Sequence, residues 1–174
     1  METITLAGGC FWCTEAIFSQ LKGVASVTPG YSGGSVENPS YEEVCTGNTG
    51  HAESVQIVFD PKILALKDLL YVFFKLHDPT TLNRQGADTG TQYRSAIFYS
   101  SETQKEIAEK AVEEAKKFYS DPVVTEITKF SNFYPADPSH KDYYFAHRNS
   151  PYCILVIDPK IQKLKKEFGN LLKS

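Results

Sequence analysis

The sequence predicts an α+β chain: one mixed sheet with helices packed against it, in a split β-α-β arrangement. Short segments of strict apolar-polar alternation, such as "TITLAG" and "ESVQIVF", predict strands. Between them lie segments with apolar residues at helical spacing, such as "LKDLLYVFFKLH". No internal repeat, low-complexity run or linker divides the chain, so one domain over residues 1–174 is expected.

"TITLAG" opens as a strand. After Gly9 the residues Phe11, Ile17, Phe18 and Leu21 recur at helical spacing, and Gly23 ends that helix. "VASVTPGYSGG" begins as a strand and breaks up in glycines. Residues 32–50 form a long irregular loop, and a loop of that length inside a compact domain is functional or disordered. "ESVQIVF" is a strand and residues 66–77 a mostly buried helix. A second long loop, "DPTTLNRQGADTGTQYR", leads to the strand "SAIFYS". Ser101 and Gln104 make a capping-box pattern that starts a helix running to about Tyr119. "VVTEITKF" is a further strand. An aromatic-rich coil with short helical pieces follows, ending in a basic amphipathic helix from about Lys160.

Composition narrows the function. Net charge is −3, which argues against a nucleic-acid partner. No apolar run approaches the roughly 20 residues that span a bilayer, so no membrane association is expected. "METITLAGG" has neither a basic start nor a long apolar run and does not read as a secretory signal. The four cysteines, Cys10, Cys13, Cys45 and Cys153, are too sparse for a disulfide scaffold and fit a cytoplasmic protein with one or two working thiols.

Cys10 follows a strand and a Gly-Gly turn at a helix start, where free N–H groups and the helix dipole favour thiolate. The neighbouring aromatics oppose this by desolvation. Cys13 is about one helical turn on, close enough for a disulfide, so the pair can cycle between dithiol and disulfide. A zinc site would need a second ligand pair at proper spacing, which the scattered remaining cysteines and histidines do not supply. In "ESVQIVF", Glu53 shares a face with Val55, Ile57 and Phe59. Pointing inward, it would be held protonated and could act as a general acid beside a thiol. Tyr41 and Tyr93 sit in the long loops as possible hydrogen-bond donors, and Asp88 could anchor its loop. His51 beside Glu53 is either catalytic or, as for most loop histidines, solvated.

The blocks "GGCFWCTE", "PGYSGG", "NPSYEEVCTGNTGHAESVQIVFDP", "HDPTTLNRQGADTGTQYRSAIFY" and "YCILVIDPK" closely resemble the A-type peptide methionine sulfoxide reductases, from about Ile4 to about Lys160. The resemblance implies a two-layer α/β sandwich with a ferredoxin-like mixed sheet and extensive coil. It implies thiol-dependent reduction of methionine S-sulfoxide, peptide-bound and free, by a monomer needing no cofactor and no metal, with thioredoxin as reductant. It assigns Cys10 as nucleophile, Phe11 and Trp12 as the methyl pocket, and Glu53 as proton donor. Tyr41 and Tyr93 become binders of the sulfoxide oxygen and Asp88 a further polar group of the site.

The chain departs from the family pattern in three places. Cys13 stands where many members carry glycine, and the tail "KLKKEFGNLLKS" lacks the resolving cysteine that many carry there. Cys13 is therefore expected to resolve Cys10, with Cys45 the second candidate and Cys153 structural. In "FYPADPSHKDYY", Pro138 and Ser139 replace the usual acidic-aromatic pair, which affects the pocket rim. A general dithiol-disulfide oxidoreductase and a non-enzymatic zinc module are the competing readings of C-x-x-C.

Overall fold

The computed structural model describes residues 1–174. In chain order its elements begin β1 (Glu2–Gly8), α1 (Phe11–Phe18), β2 (Val24–Ser32), α2 (Tyr41–Cys45), β3 (Ala52–Phe59) and α3 (Leu66–Leu76). They continue with the short hairpin β4 (Arg84–Gln85) and β5 (Asp88–Thr89), then β6 (Ser95–Tyr99), α4 (Glu102–Ala115), β7 (Glu126–Lys129) and β8 (Tyr134–Pro135). The small helix α5 (Tyr143–Ala146) comes next, and a π-helical stretch, Cys153–Ile157, leads into α6 (Asp158–Phe168).

The main sheet runs β7-β6-β1-β3-β2-β8. Its four inner strands, β6-β1-β3-β2, pair antiparallel throughout. This is the ferredoxin-like order, in which two β-α-β units interleave. β7 adds parallel to β6 after the α4 crossover, and β8 caps the opposite edge. No helix is long and apolar enough to cross a membrane.

Side-chain alternation explains why the helices lie on one face. Ile4 and Leu6 of β1, Val55, Ile57 and Phe59 of β3, and Ile97 of β6 join α1, α3 and α6 in one core. The other face carries small residues, Ala7, Ala52 and Ala96, beside Phe98. Each large side chain in the core contributes roughly 1.5–3 kcal/mol by leaving water, so α1 is held by packing and not by its own eight residues of helix.

The structure differs locally from the sequence expectation: α4 ends at Ala115, short of Tyr119, and three further differences have visible causes. Helix α1 stops at Phe18 and not at Gly23, because the chain's end takes over the backbone groups beyond it. Lys22 N donates to Leu171 O, Lys173 N donates to Gln20 O, and Leu21 bridges Leu172. The 32–50 stretch contains α2, started by a capping box between Ser40 and Glu43. "VVTEITKF" pairs only over Glu126–Lys129, since Val124 N is drawn off to Pro79 O.

The aromatic coil after β8 is fastened to α1 by Glu15. This carboxylate is 1% exposed. It accepts hydrogen bonds from Asp142 N at 3.0 and 3.1 Å and from Lys141 Nζ at 3.0 Å. Lys141 Nζ also donates to Val27 O at 2.7 Å. One buried acid thereby sets the path of residues 137–146 over α1.

Between β1 and α1 the chain turns through Gly9 at φ +96°. A Cβ there would lie 2.6 Å from Gln85 Cγ. Gly9→Ala is expected to lower the unfolding free energy by about 1–2 kcal/mol, the penalty of a left-handed L residue, as read by urea unfolding.

Candidate active site

The end of β1 delivers Cys10 to the N-cap of α1. Its carbonyl accepts from Cys13 N at 3.1 Å and starts the helix. The next amide, Phe11 N, has no partner within the helix. It donates instead to Glu53 Oε1 at 3.2 Å. As the alternation of β3 indicates, Glu53 points to the helix side, and it is 1% exposed. Its second oxygen, Oε2, is buried without a hydrogen-bond partner. Burial pushes its pKa up to about 8, against the pull of the Phe11 amide, with Asp88 and Cys13 adding to the rise. Glu53 is thus a neutral acid near pH 7 with a free oxygen beside the thiol.

Cys10 is 8% exposed and Cys13 2%. All four cysteines are free thiols. Burial pushes the Cys10 thiol well up, and the neighbouring Cys13 and negative charge at Glu53 act the same way; the Trp12 amide opposes them. Of the two effects weighed from sequence, burial outweighs the helix start. Cys13 moves down, chiefly because Cys10 donates a hydrogen bond to it, with help from Lys160 and Tyr152 and against burial.

The hydroxyls surround this centre. Tyr41, at the start of α2, is 6.4 Å from the Phe11 ring and 4.7 Å from the His140 ring. Tyr93 lies in a short 3-10 turn, Thr91–Tyr93. Burial, then charge at Glu53, raises the pKa of both, so both remain O–H donors. Cys45 sits on the exposed side of α2. Asp88, on β5, accepts from Tyr152 Oη at 2.8 Å, and Tyr152 Oη lies 4.0 Å from Cys13 Sγ. It anchors its loop to the thiol pair.

Phe11 is fully buried and supports Tyr31, Tyr41 and His140 from behind. Trp12 keeps part of its surface open. Its ring stacks on Tyr143 at 3.7 Å, and its Nε1 donates to His140 Nδ1 at 3.1 Å. In the "FYPADPSHKDYY" block, His140 and Tyr143 therefore form the rim.

Four residues near the centre were not singled out from the sequence: Tyr31, His140, Tyr143 and Tyr152. Tyr31 had a signal, because it is the register partner of Glu53; its hydroxyl is also buried without a partner. His51 matches neither of its readings. It is buried, its Nδ1 accepts from Gly34 N at 3.0 Å, and its Nε2 bonds Val36 O at 2.7 Å, so it pins the loop. Cys153 is buried beside Tyr152. No three His, Cys, Asp or Glu side chains converge on a point that could hold a metal ion. The largest surface groove lies away from this centre, between α3 and α4.

A family model described as "Peptide methionine sulfoxide reductase" matches residues 2–172. Peptide methionine sulfoxide reductase MsrA of Sulfolobus acidocaldarius is 58% identical over 168 residues, 97% of this chain and 96% of that protein. The reduced form of Mxr1 from Saccharomyces cerevisiae superposes with a TM-score of 0.81 at 35% identity, over 87% of this chain and 88% of that one. Mxr1 in complex with Trx2 gives a TM-score of 0.57 at 27% identity, over 82% and 84%.

The raised pKa of Glu53 has a stability signature. The folded state holds a proton that the unfolded chain loses near pH 4.5, so this group's contribution falls as pH rises from about 4.5 to about 8. Glu53→Gln removes that fall. The stability of the variant relative to the parent is expected to rise across this window and level off above it, as read by denaturant unfolding at a series of pH values.

Proposed function

This chain belongs to the peptide methionine sulfoxide reductase family, and on that premise we propose that Cys10 reduces methionine sulfoxide with Glu53 as the acid. The observation that carries the proposal is the unpartnered Oε2 of a buried Glu53 whose other oxygen is held by the amide next to Cys10. A sulfoxide resists attack because its oxygen is a poor leaving group. Glu53 protonates that oxygen while Tyr41 and Tyr93 hydrogen-bond it as charge develops. Cys10 attacks the sulfur and passes its proton to Glu53, restoring the acid. The hydroxyl then passes to the Cys10 sulfur as the substrate S–O bond and the transient bond between the two sulfurs break, leaving Cys10 as sulfenic acid and releasing methionine. Two electrons have moved from the cysteine sulfur to the substrate sulfur. Trp12, backed by Phe11, His140 and Tyr143, receives the S-methyl group, and the enzyme acts on the S epimer, peptide-bound or free.

Cys13 then resolves the sulfenic acid as a Cys10–Cys13 disulfide, with residues 1–174 acting as one catalytic unit. The burial of both thiols one helical turn apart supports this over Cys45, whose side chain is exposed. A thioredoxin reduces the disulfide, as the complex of the relative Mxr1 with Trx2 supports. Four cysteines, too sparse for a disulfide scaffold, fit a cytoplasmic location. The burial of both thiols among acid and hydroxyl groups favours this reading over a general dithiol oxidoreductase, which works at an open surface.

Glu53→Gln is expected to slow single-turnover methionine release by about 10²–10⁴-fold, the range for a lost general acid. Cys13→Ser should still release one equivalent of methionine but fail to turn over with thioredoxin. Undiminished thioredoxin-driven turnover in that variant would exclude Cys13 as the resolving thiol.

A further inference from the structure

We propose that Lys160 is an electrostatic positioning residue for the resolving step: its side chain lines a narrow void together with Cys13, and its charge stabilises the anion in which Cys13 attacks Cys10. The inference rests on the Cys10–Cys13 reading above and adds what makes Cys13 competent.

The void lies between α1, α3 and the start of α6. Gly8, Cys13, Thr14, His77 and Lys160 are among the residues lining it. Its volume is about 10 Å³, room for at most one water molecule, so substrate cannot enter between Cys13 and Lys160. Lys160 is half-buried and pairs with no carboxylate. Its neighbour Lys163 is occupied by Lys75 O at 2.6 Å and by Glu167. His77, the other basic group in the wall, is fully engaged by Phe73 O and Ser95 Oγ. Burial pushes its pKa down to about 4, so it is neutral. Lys160 is therefore the only cation lining the void.

The other groups facing Cys13 can be placed element by element. Cys10 at the start of α1 donates to it, the Tyr152 hydroxyl lies 4.0 Å from its sulfur, Glu53 on β3 is neutral near pH 7, and Asp88 on β5 is the one opposing carboxylate. Asp88 is turned to the Tyr152 hydroxyl. The Lys160 charge acts on Cys13 in the favourable direction.

In the step itself, the Cys13 thiolate attacks the sulfur of Cys10–S–OH. The S–S bond forms and the S–O bond breaks. The departing hydroxide takes a proton from Glu53 and leaves as water, while the proton lost by Cys13 on ionisation replaces it, so the step is balanced without an added reductant. A lower thiol pKa raises the thiolate fraction tenfold per unit but costs about half that gain logarithmically in nucleophilicity. Near neutral pH the net effect is about threefold per unit.

The test compares full-length Lys160→Met and Lys160→Arg with the parent. Each is treated with one equivalent of a methionine sulfoxide peptide without reductant. Methionine release and thiol loss are timed across pH, and the disulfide is mapped. In Lys160→Met, release should stay within about twofold, the pH midpoint of disulfide formation should move up, and its rate at neutral pH should fall by about threefold for each unit that the midpoint moves. Lys160→Arg should keep the parent rate and midpoint. A second reading, alkylation of Cys13 against pH in a Cys10→Ser background, should show the same upward shift on Lys160→Met. Parent-like disulfide formation and an unmoved alkylation midpoint in Lys160→Met would overturn the role of Lys160. A parent disulfide mapped to Cys45 or Cys153 would overturn the Cys10–Cys13 reading itself and this inference with it.

Discussion

The hydrogen bond from the Phe11 amide to Glu53 Oε1 joins the nucleophile's helix to the acid's strand. Two opposing effects meet in it. The helix N-terminus favours a carboxylate by up to about 2 kcal/mol. Burying that carboxylate away from water costs several kcal/mol. Burial wins, so the acid keeps its proton while one oxygen still accepts the amide. That fixes the division of labour within one side chain: Oε1 is held, and Oε2 is free to deliver hydrogen. The sheet register, the Gly8-Gly9 turn and the apolar core under α1 all serve to keep this bond formed in a dry place.

The same dry place has to be closed from above, and the C-terminal coil does it. Glu15 pins Lys141 and Asp142 to α1. The adjoining His140 and Tyr143 then meet Trp12 by a hydrogen bond and a ring stack. Further along, Tyr152 reaches back to Asp88 and stands over Cys13. A ferredoxin-like sheet alone would leave Cys10 at an open helix end. The coil converts that end into a site where a neutral acid and two buried thiols coexist.

The sheet was legible because alternation and helical spacing are local. The same alternation revealed the inward direction of Glu53, since Val55, Ile57 and Phe59 share its face. Helix α2 was missed although Ser40 and Glu43 spell its capping box, because the surrounding glycines hid a helix of five residues. The early end of α1 was not legible, since Leu171 and Leu172 lie about 150 residues away. Tyr152 and His140 were equally out of reach: their roles come from contacts 64 to 139 residues apart, which no spacing rule encodes. Cysteine protonation was the hardest part, because the helix start and burial act in opposite directions on Cys10 and only the fold sets their sizes.

The central claim is that Glu53 is a protonated acid in the resting enzyme, and its carboxyl group can be observed directly. An infrared difference spectrum between the parent and Glu53→Gln, recorded across pH, isolates the carboxyl stretch of this one side chain. The account predicts a protonated carboxyl band at pH 6–7 that converts to carboxylate with a midpoint of about 8. A band already converted to carboxylate at pH 6, with a midpoint near the ordinary glutamate value of 4.5, would contradict it.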